Sequence, residues 1–142
     1  MQPIQSVAIV GAGNMGSGIA QKSAQEEFDV QMVDREQQWV DRGQGIIADF
    51  LSEAVERRIF SSKQVDDIKN RITGVIGVEN TAENTDLVIE AVFEDFDIKT
   101  AVFNTLDEVC GPNTILASNT SSLSVNALAE ATGRADRFVG LH

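Results

Sequence analysis

The stretch Val7-Ala8-Ile9-Val10-Gly11-Ala12-Gly13-Asn14-Met15-Gly16 constrains the fold more than any other. Four apolar residues run straight into Gly-x-Gly-x-x-Gly, and Ser17-Gly18-Ile19-Ala20-Gln21 continues as a helix. A short uninterrupted apolar run reads as a strand buried on both faces, the pattern of a parallel sheet. Gly11 permits the tight turn, Gly13 lets a pyrophosphate approach the backbone, and Gly16 lets the helix pack close to the strand. The unpaired N–H groups and positive dipole end of that helix then face the phosphates.

Glycines also cluster in ordinary turns, so the second half of the signal matters. Asp29-Val30-Gln31-Met32-Val33-Asp34 is a short apolar-rich strand ending in an acid. Its distance from Gly16 is close to the roughly 20 residues expected of a ribose-binding carboxylate. Asp34 would accept hydrogen bonds from ribose hydroxyls and repel a 2′-phosphate, which favours NAD over NADP. The competing expectation is that Asp34 caps the next helix. Arg35 would stack on the adenine or meet a phosphate.

The 142 residues suffice for one domain with a real core. A net charge of −11 makes a nucleic-acid backbone an unsuitable partner. The single cysteine, Cys110, excludes an internal disulfide and supplies no metal cluster; it is expected at the end of an apolar helix face. The first residues lack a basic segment followed by an apolar one, and no apolar run is long enough to span a membrane. The expectation is a soluble cytoplasmic protein.

Helix one carries Ile19, Ala20, Ser23 and Ala24 on one side. After strand two, residues 36–72 show helical periodicity with no strand: Trp39, Gly43, Ile46, Ile47, Phe50, Leu51, Ala54, Val55 and Ile59 recur at i, i+3, i+4. Ser61 and Gln64 fit a capping box that starts a second helix, marked by Val65, Ile68 and Ile72. This helical hairpin contacts a substrate or partner, or serves as packing. Arg57, Arg58 and Lys63 cluster near its turn in a chain with 11 basic residues. They form a solvated face or a site for an anionic group. A weak strand at Thr73–Val78 and a helical turn with Asn80 and Glu83 as cap partners follow. Asp86–Val92 reads as a strand, and a helix begins at Phe93-Glu94-Asp95 with the stripe Ile98, Val102, Phe103, Leu106 and Val109, stopped at Gly111-Pro112. Strand five, Thr114–Ala117, runs into Ser118-Asn119-Thr120-Ser121-Ser122; a short helix spans Val125–Ala131; strand six spans Arg137–His142.

This alternation predicts an α/β fold, a Rossmann-type doubly wound parallel sheet with a helical hairpin inserted after the second strand. Ligands in such sheets bind beyond the carboxyl ends of the strands. Asp34, Glu94 with Lys99, the Ser118–Ser122 string and His142 all fall there.

Four segments resemble the NAD-binding domain of the L-3-hydroxyacyl-CoA dehydrogenases: Gly11–Ala20, Asp86–Asp95, Ala117–Leu123 and Arg137–His142. They occur in the family's order and span the chain. The resemblance implies NAD as cofactor, a (S)-3-hydroxyacyl-CoA as substrate, and a role in fatty acid metabolism. It implies that Asp34 holds the adenosine ribose, that Glu94 and Lys99 lie along the nicotinamide half, and that Asn119 places the nicotinamide. Ser121 would contact the substrate's 3-oxygen. His142 would be the general base that takes the 3-hydroxyl proton, a task suited to imidazole. The family's hairpin reaches the CoA moiety, and Arg57 and Arg58 are candidates for its phosphates.

Each residue also has a plainer reading. His142 would be structural, Ser121 would cap the following helix, Glu94 would sit at a helix N-terminus, and Lys99 would pair with Asp95 one turn earlier. The family continues past the histidine into an aromatic Asn-Pro segment, an acid that orients the imidazole, and a helical domain that dimerises. The 142-residue chain is therefore expected to bind NAD and turn over little alone. The rivals are a dehydrogenase of a free hydroxy or sugar acid and a non-catalytic nucleotide-binding module.

Overall fold

The computed structural model describes residues 2–142. Six strands form one parallel sheet in the order β3-β2-β1-β4-β5-β6. These are β1 (Ser6–Val10), β2 (Asp29–Asp34), β3 (Ile72–Ile76), β4 (Leu87–Glu90), β5 (Ile115–Ser118) and β6 (Phe138–Gly140). The helices are α1 (Asn14–Gln25), α2 (Gln37–Glu56), α3 (Ser62–Asn70), α4 (Phe96–Val109) and α5 (Val125–Glu130). Successive residues of a strand point to opposite faces, so β1 feeds two cores. Val7 and Ile9 pack with Ala20, Ala24, Met32, Ile47, Leu51, Val65 and Ile68 on the α1–α2–α3 side. Ala8 and Val10 pack with Phe103, Leu106, Leu116, Leu128 and Phe138 on the α4–α5 side. The expected doubly wound sheet is the fold observed.

The hairpin is two helices, and Ser61 and Gln64 close the capping box that starts α3. It is a packing layer: Val40, Gly43, Ile47, Leu51 and Ala54 of α2 are buried, with Val65 and Ile68 of α3. Phe50 and Ile59, expected on the buried stripe, are exposed. Phe50 precedes buried Leu51 by one residue, about 100° round the helix, and so misses the sheet. Gly43 marks a close approach. A Cβ there would lie 2.8 Å from the Ala12 carbonyl oxygen and 2.9 Å from Met32 Cε.

Several boundaries move. Ile72 opens β3, opposite Val30, instead of closing α3, and Gly77 at φ 88 ends the strand early. A 3₁₀ turn occupies Val78–Asn80, where the Asn80 side chain donates to the Ile76 carbonyl and Glu83 caps nothing; its carbonyl accepts from Gly111 N–H. β4 stops at Glu90, α4 starts three residues beyond Phe93, and β6 stops at Gly140. Cys110 is the buried C-cap of α4, as its place on the apolar face implied.

Candidate functional site

The β1–α1 turn is built by close backbone approach. Gly11 adopts φ 111, and a Cβ there would lie 2.6 Å from the Ala91 carbonyl oxygen. A Cβ on Gly16 would overlap the Gly11 carbonyl, so glycine alone allows α1 to start against the turn. Gly13, the N-cap of α1, makes no side-chain cap bond, and space is open where its Cβ would be. Met15 beside it is exposed, as is Asn14. This is a cradle of unfilled helix N–H donors that fits a pyrophosphate.

Asp34 stands at the carboxyl end of β2, facing that turn. Its Oδ2 accepts from Ala12 N–H at 2.9 Å and its Oδ1 from Arg35 N–H at 2.7 Å. It does not cap α2, whose N-cap is Glu36. Each oxygen keeps a lone pair for a ribose hydroxyl. The Arg35 side chain is exposed and lies 3.9 Å from Glu36.

On the other side of β1, a second cluster covers the ends of β4 and β5. Glu94 Oε1 accepts from the Thr120 hydroxyl at 2.7 Å, and Oε2 from Ser121 N–H at 3.1 Å and the Ser121 hydroxyl at 3.3 Å. The Thr120 hydroxyl foremost, then the Ser121 N–H, hold the Glu94 carboxyl down at about 2 against the opposing effect of burial; Lys99 adds to the lowering. Ser121 does not cap α5, a task Ser124 performs. Asn119 N–H donates to the Glu90 carbonyl at 2.9 Å, continuing the β4–β5 ladder.

Lys99 differs from expectation. It is 2% exposed and makes no pair with Asp95, which caps α4 through Ile98 N–H. Its Nζ lies 2.5 Å from Glu90 Oε2 and 3.5 Å from Glu94 Oε1. Glu90 is fully buried and also accepts from the Ser118 hydroxyl at 2.6 Å and Val92 N–H at 2.8 Å. Thr120 belongs to the Ser118–Ser122 string expected at the site, whereas Glu90 is not among the residues expected there. A carboxylate inside an apolar central strand was the available signal, since buried acids need partners.

His142 is exposed just beyond β6, where Leu141 N–H still donates to the Ser118 carbonyl at 2.9 Å. The histidine is thus carried on the strand beside β5. Arg57 and Arg58 are not gathered with these groups. They follow the 20-residue α2, about 30 Å along its axis from Gln37. Arg57 pairs with Glu53 at 3.5 Å in the open, and Arg58 holds φ 59.

Residues 6–142 match the family model described as 3-hydroxyacyl-CoA dehydrogenase, NAD binding domain. The chain belongs to the 3-hydroxyacyl-CoA dehydrogenase family. Its cofactor is NAD, which the glycine turn and Asp34 fit. The chain is 40% identical over 139 residues to a probable 3-hydroxybutyryl-CoA dehydrogenase of Bacillus subtilis, covering 98% of this chain and 48% of that protein. It is 37% identical over 136 residues to the 3-hydroxybutyryl-CoA dehydrogenase of Clostridioides difficile, covering 96% and 48%. The crystal structure of (S)-3-hydroxybutyryl-CoA dehydrogenase from Ralstonia eutropha superposes with a TM-score of 0.94 at 39% identity, over 99% of this chain and 49% of that one. The chain therefore spans about half the length of these relatives. Among the described residues, no helix is long and apolar enough to cross a membrane.

Proposed function

We propose that residues 1–142 form the NAD-binding unit of an enzyme that oxidises the C3 hydroxyl of a (S)-3-hydroxyacyl-CoA. The observation that carries this reading is the division of one sheet edge into two halves. The phosphate cradle and Asp34 lie over β1 and β2, while Glu94, Ser121 and His142 lie over β4, β5 and β6. The strand order reverses between β1 and β4, where doubly wound sheets place a dinucleotide. With Asp34 on the adenosine ribose and the pyrophosphate on Gly11, Gly13, Asn14, Met15 and Gly16, the nicotinamide half extends over β4 and β5. Arg35 flanks the adenine.

When bound, NAD supplies the two-electron acceptor for the alcohol. The residues of this chain do the rest. Ser121 holds the substrate's 3-oxygen, Asn119 orients the nicotinamide side, and His142 takes the hydroxyl proton as general base. Glu94 keeps Ser121 in place, and buried Lys99 acts through Glu94. Arg57 and Arg58 meet the CoA phosphates. The remaining half of the relatives' length supplies the acid that orients the imidazole, closes the cleft and forms a homodimer; the 142-residue unit alone turns over little.

The test has two parts. Calorimetric titration of the chain with NAD⁺ should give saturable binding, and its absence would refute the cofactor assignment. The protein carrying this unit with its catalytic complement should oxidise (S)-3-hydroxybutyryl-CoA but not free 3-hydroxybutyrate, and His142→Gln should abolish that turnover. Equal activity on the free acid would instead support a hydroxy-acid dehydrogenase.

A further inference from the structure

Three charged groups meet beneath the Ser118–Ser122 loop, and their arithmetic is uneven. Glu90 and Glu94 each carry one negative charge and Lys99 one positive, leaving the group at −1. The positive charge is not shared equally. Lys99 Nζ lies 2.5 Å from Glu90 Oε2 and 3.5 Å from Glu94 Oε1. Both Lys99 and Glu90 are sealed from water, at 2% and 0% side-chain exposure, whereas Glu94 is 37% exposed. Glu90 is fixed from three sides by Ser118, Val92 N–H and Lys99, so it cannot turn away. The uncompensated negative charge consequently resides on Glu94, the member that reaches the surface.

We propose that Glu90 is a positioning residue that holds the Lys99 ammonium down and so leaves Glu94 charged toward the cofactor ring, making the site prefer the oxidised cofactor. This rests on the reading above, which lays the nicotinamide over β4 and β5. The oxidised ring is a pyridinium cation and the reduced ring is neutral. A nearby carboxylate that is not neutralised distinguishes the two by its Coulomb energy alone, and a partly desolvated site strengthens the effect. Without the Glu90 charge, Lys99 would turn wholly onto Glu94, 3.5 Å away, and the local charge would fall to zero.

The experiment measures the ratio of NAD⁺ to NADH affinity by calorimetry in the wild-type chain and three variants, with circular dichroism as the check on folding. Glu90→Gln keeps the side-chain shape and the Ser118 contact but removes the charge. It should lower the preference for NAD⁺ about tenfold, mainly by weakening NAD⁺ binding. Glu94→Gln, at the surface, should lower it to the same extent. The double variant Glu90→Gln/Lys99→Met removes the opposite charges together and leaves Glu94 alone, so it should restore the wild-type ratio. A residue of merely structural value would not be rescued by a second core change. If Glu90→Gln does not fold, Glu94→Gln and the double variant decide together: a lowered ratio in the first with a wild-type ratio in the second, where a neutral pair of similar volume replaces the buried ion pair, supports the proposal, and an unchanged ratio in Glu94→Gln overturns it. An unchanged ratio in folded Glu90→Gln overturns the proposal, and so does a double variant whose ratio stays low. If the wild-type chain binds neither form, the dinucleotide reading fails first and this inference falls with it.

Discussion

Asp34 Oδ2 accepts a hydrogen bond from Ala12 N–H at 2.9 Å, which ties the end of β2 to the glycine turn after β1. One carboxylate therefore serves two functions. It fixes the turn, and its remaining lone pairs are free to accept from the hydroxyls of an adenosine ribose. Asp34→Ala should weaken NAD⁺ binding about tenfold to a hundredfold, the usual range for lost hydrogen bonds to a charged group. Asp34→Asn retains an acceptor for Ala12 but loses the charge, so it should lose less NAD⁺ affinity while discriminating less against NADP⁺. Paired titrations with both cofactors check this. An Asp34→Asn variant as selective as the wild type would show that the charge does not read the 2′ position.

Two glycines of α2 should respond oppositely to the same substitution. Gly45 has open space where a Cβ would stand, so Gly45→Ala should raise stability by roughly 1 kcal/mol through helix propensity. At Gly43 the added methyl would press on the Ala12 backbone and Met32. Gly43→Ala should destabilise the protein and, because Ala12 lies in the cofactor turn, weaken NAD⁺ binding as well. Urea midpoints and calorimetry on the pair separate helix propensity from packing.

These contrasts show what was legible in the sequence. The β1–turn–β2 unit was readable because its demands are local: an apolar run, glycines at a fixed spacing, an acid at a fixed distance. The Ser61–Gln64 capping box was readable for the same reason. Glu90 was not. It stands inside the apolar run Asp86–Val92, which signals a buried acid in need of partners but does not name them, and those partners, Lys99 and Ser118, lie nine and 28 residues away. Only the stacking of α4 under the β4 and β5 ends brings them together. The side assigned to Phe50 failed differently. Apolar character repeated along α2, but the sheet is met by the row Val40, Gly43, Ile47, Leu51, Ala54, and periodicity alone does not say which of two adjacent rows wins.

Arg58 occupies the left-handed region at φ 59, where α2 ends with Ile59 N–H donating to the Ala54 carbonyl at 2.8 Å and Arg58 N–H to the Val55 carbonyl at 3.0 Å. Glycine is the preferred residue at this helix stop. Glu27 holds the equivalent position after α1 at φ 71. Glu27→Gly and Arg58→Gly should each raise stability by roughly 0.5–1 kcal/mol by relieving the Cβ strain. Arg58→Gly alone should also raise KM for the acyl-CoA in the active protein if its side chain meets a CoA phosphate. An unchanged KM would remove Arg58 from the substrate site.

Acid should unfold this protein through three carboxylates held low in the native state. The Thr120 hydroxyl and Ser121 N–H hold Glu94 at about 2, from an ordinary 4.5. The N–H groups of Gln5 and then Ser6 lower Asp86, whose Oδ2 fastens the start of β1 to β4. Burial raises Asp107, but the Arg134 hydrogen bond and Gly133 N–H outweigh it, so its carboxyl also lies below 3.8. For each group the folded pKa is below the unfolded one. The stabilisation is therefore complete above about pH 4.5 and is lost as pH falls through the folded values. Urea midpoints should be level from pH 7 to pH 5 and decline from pH 4.5 toward pH 2. Glu94→Gln should shallow that decline, because Gln has no proton to bind. A midpoint at pH 3 equal to that at pH 6 would mean that these hydrogen bonds do not favour the ionised carboxylates.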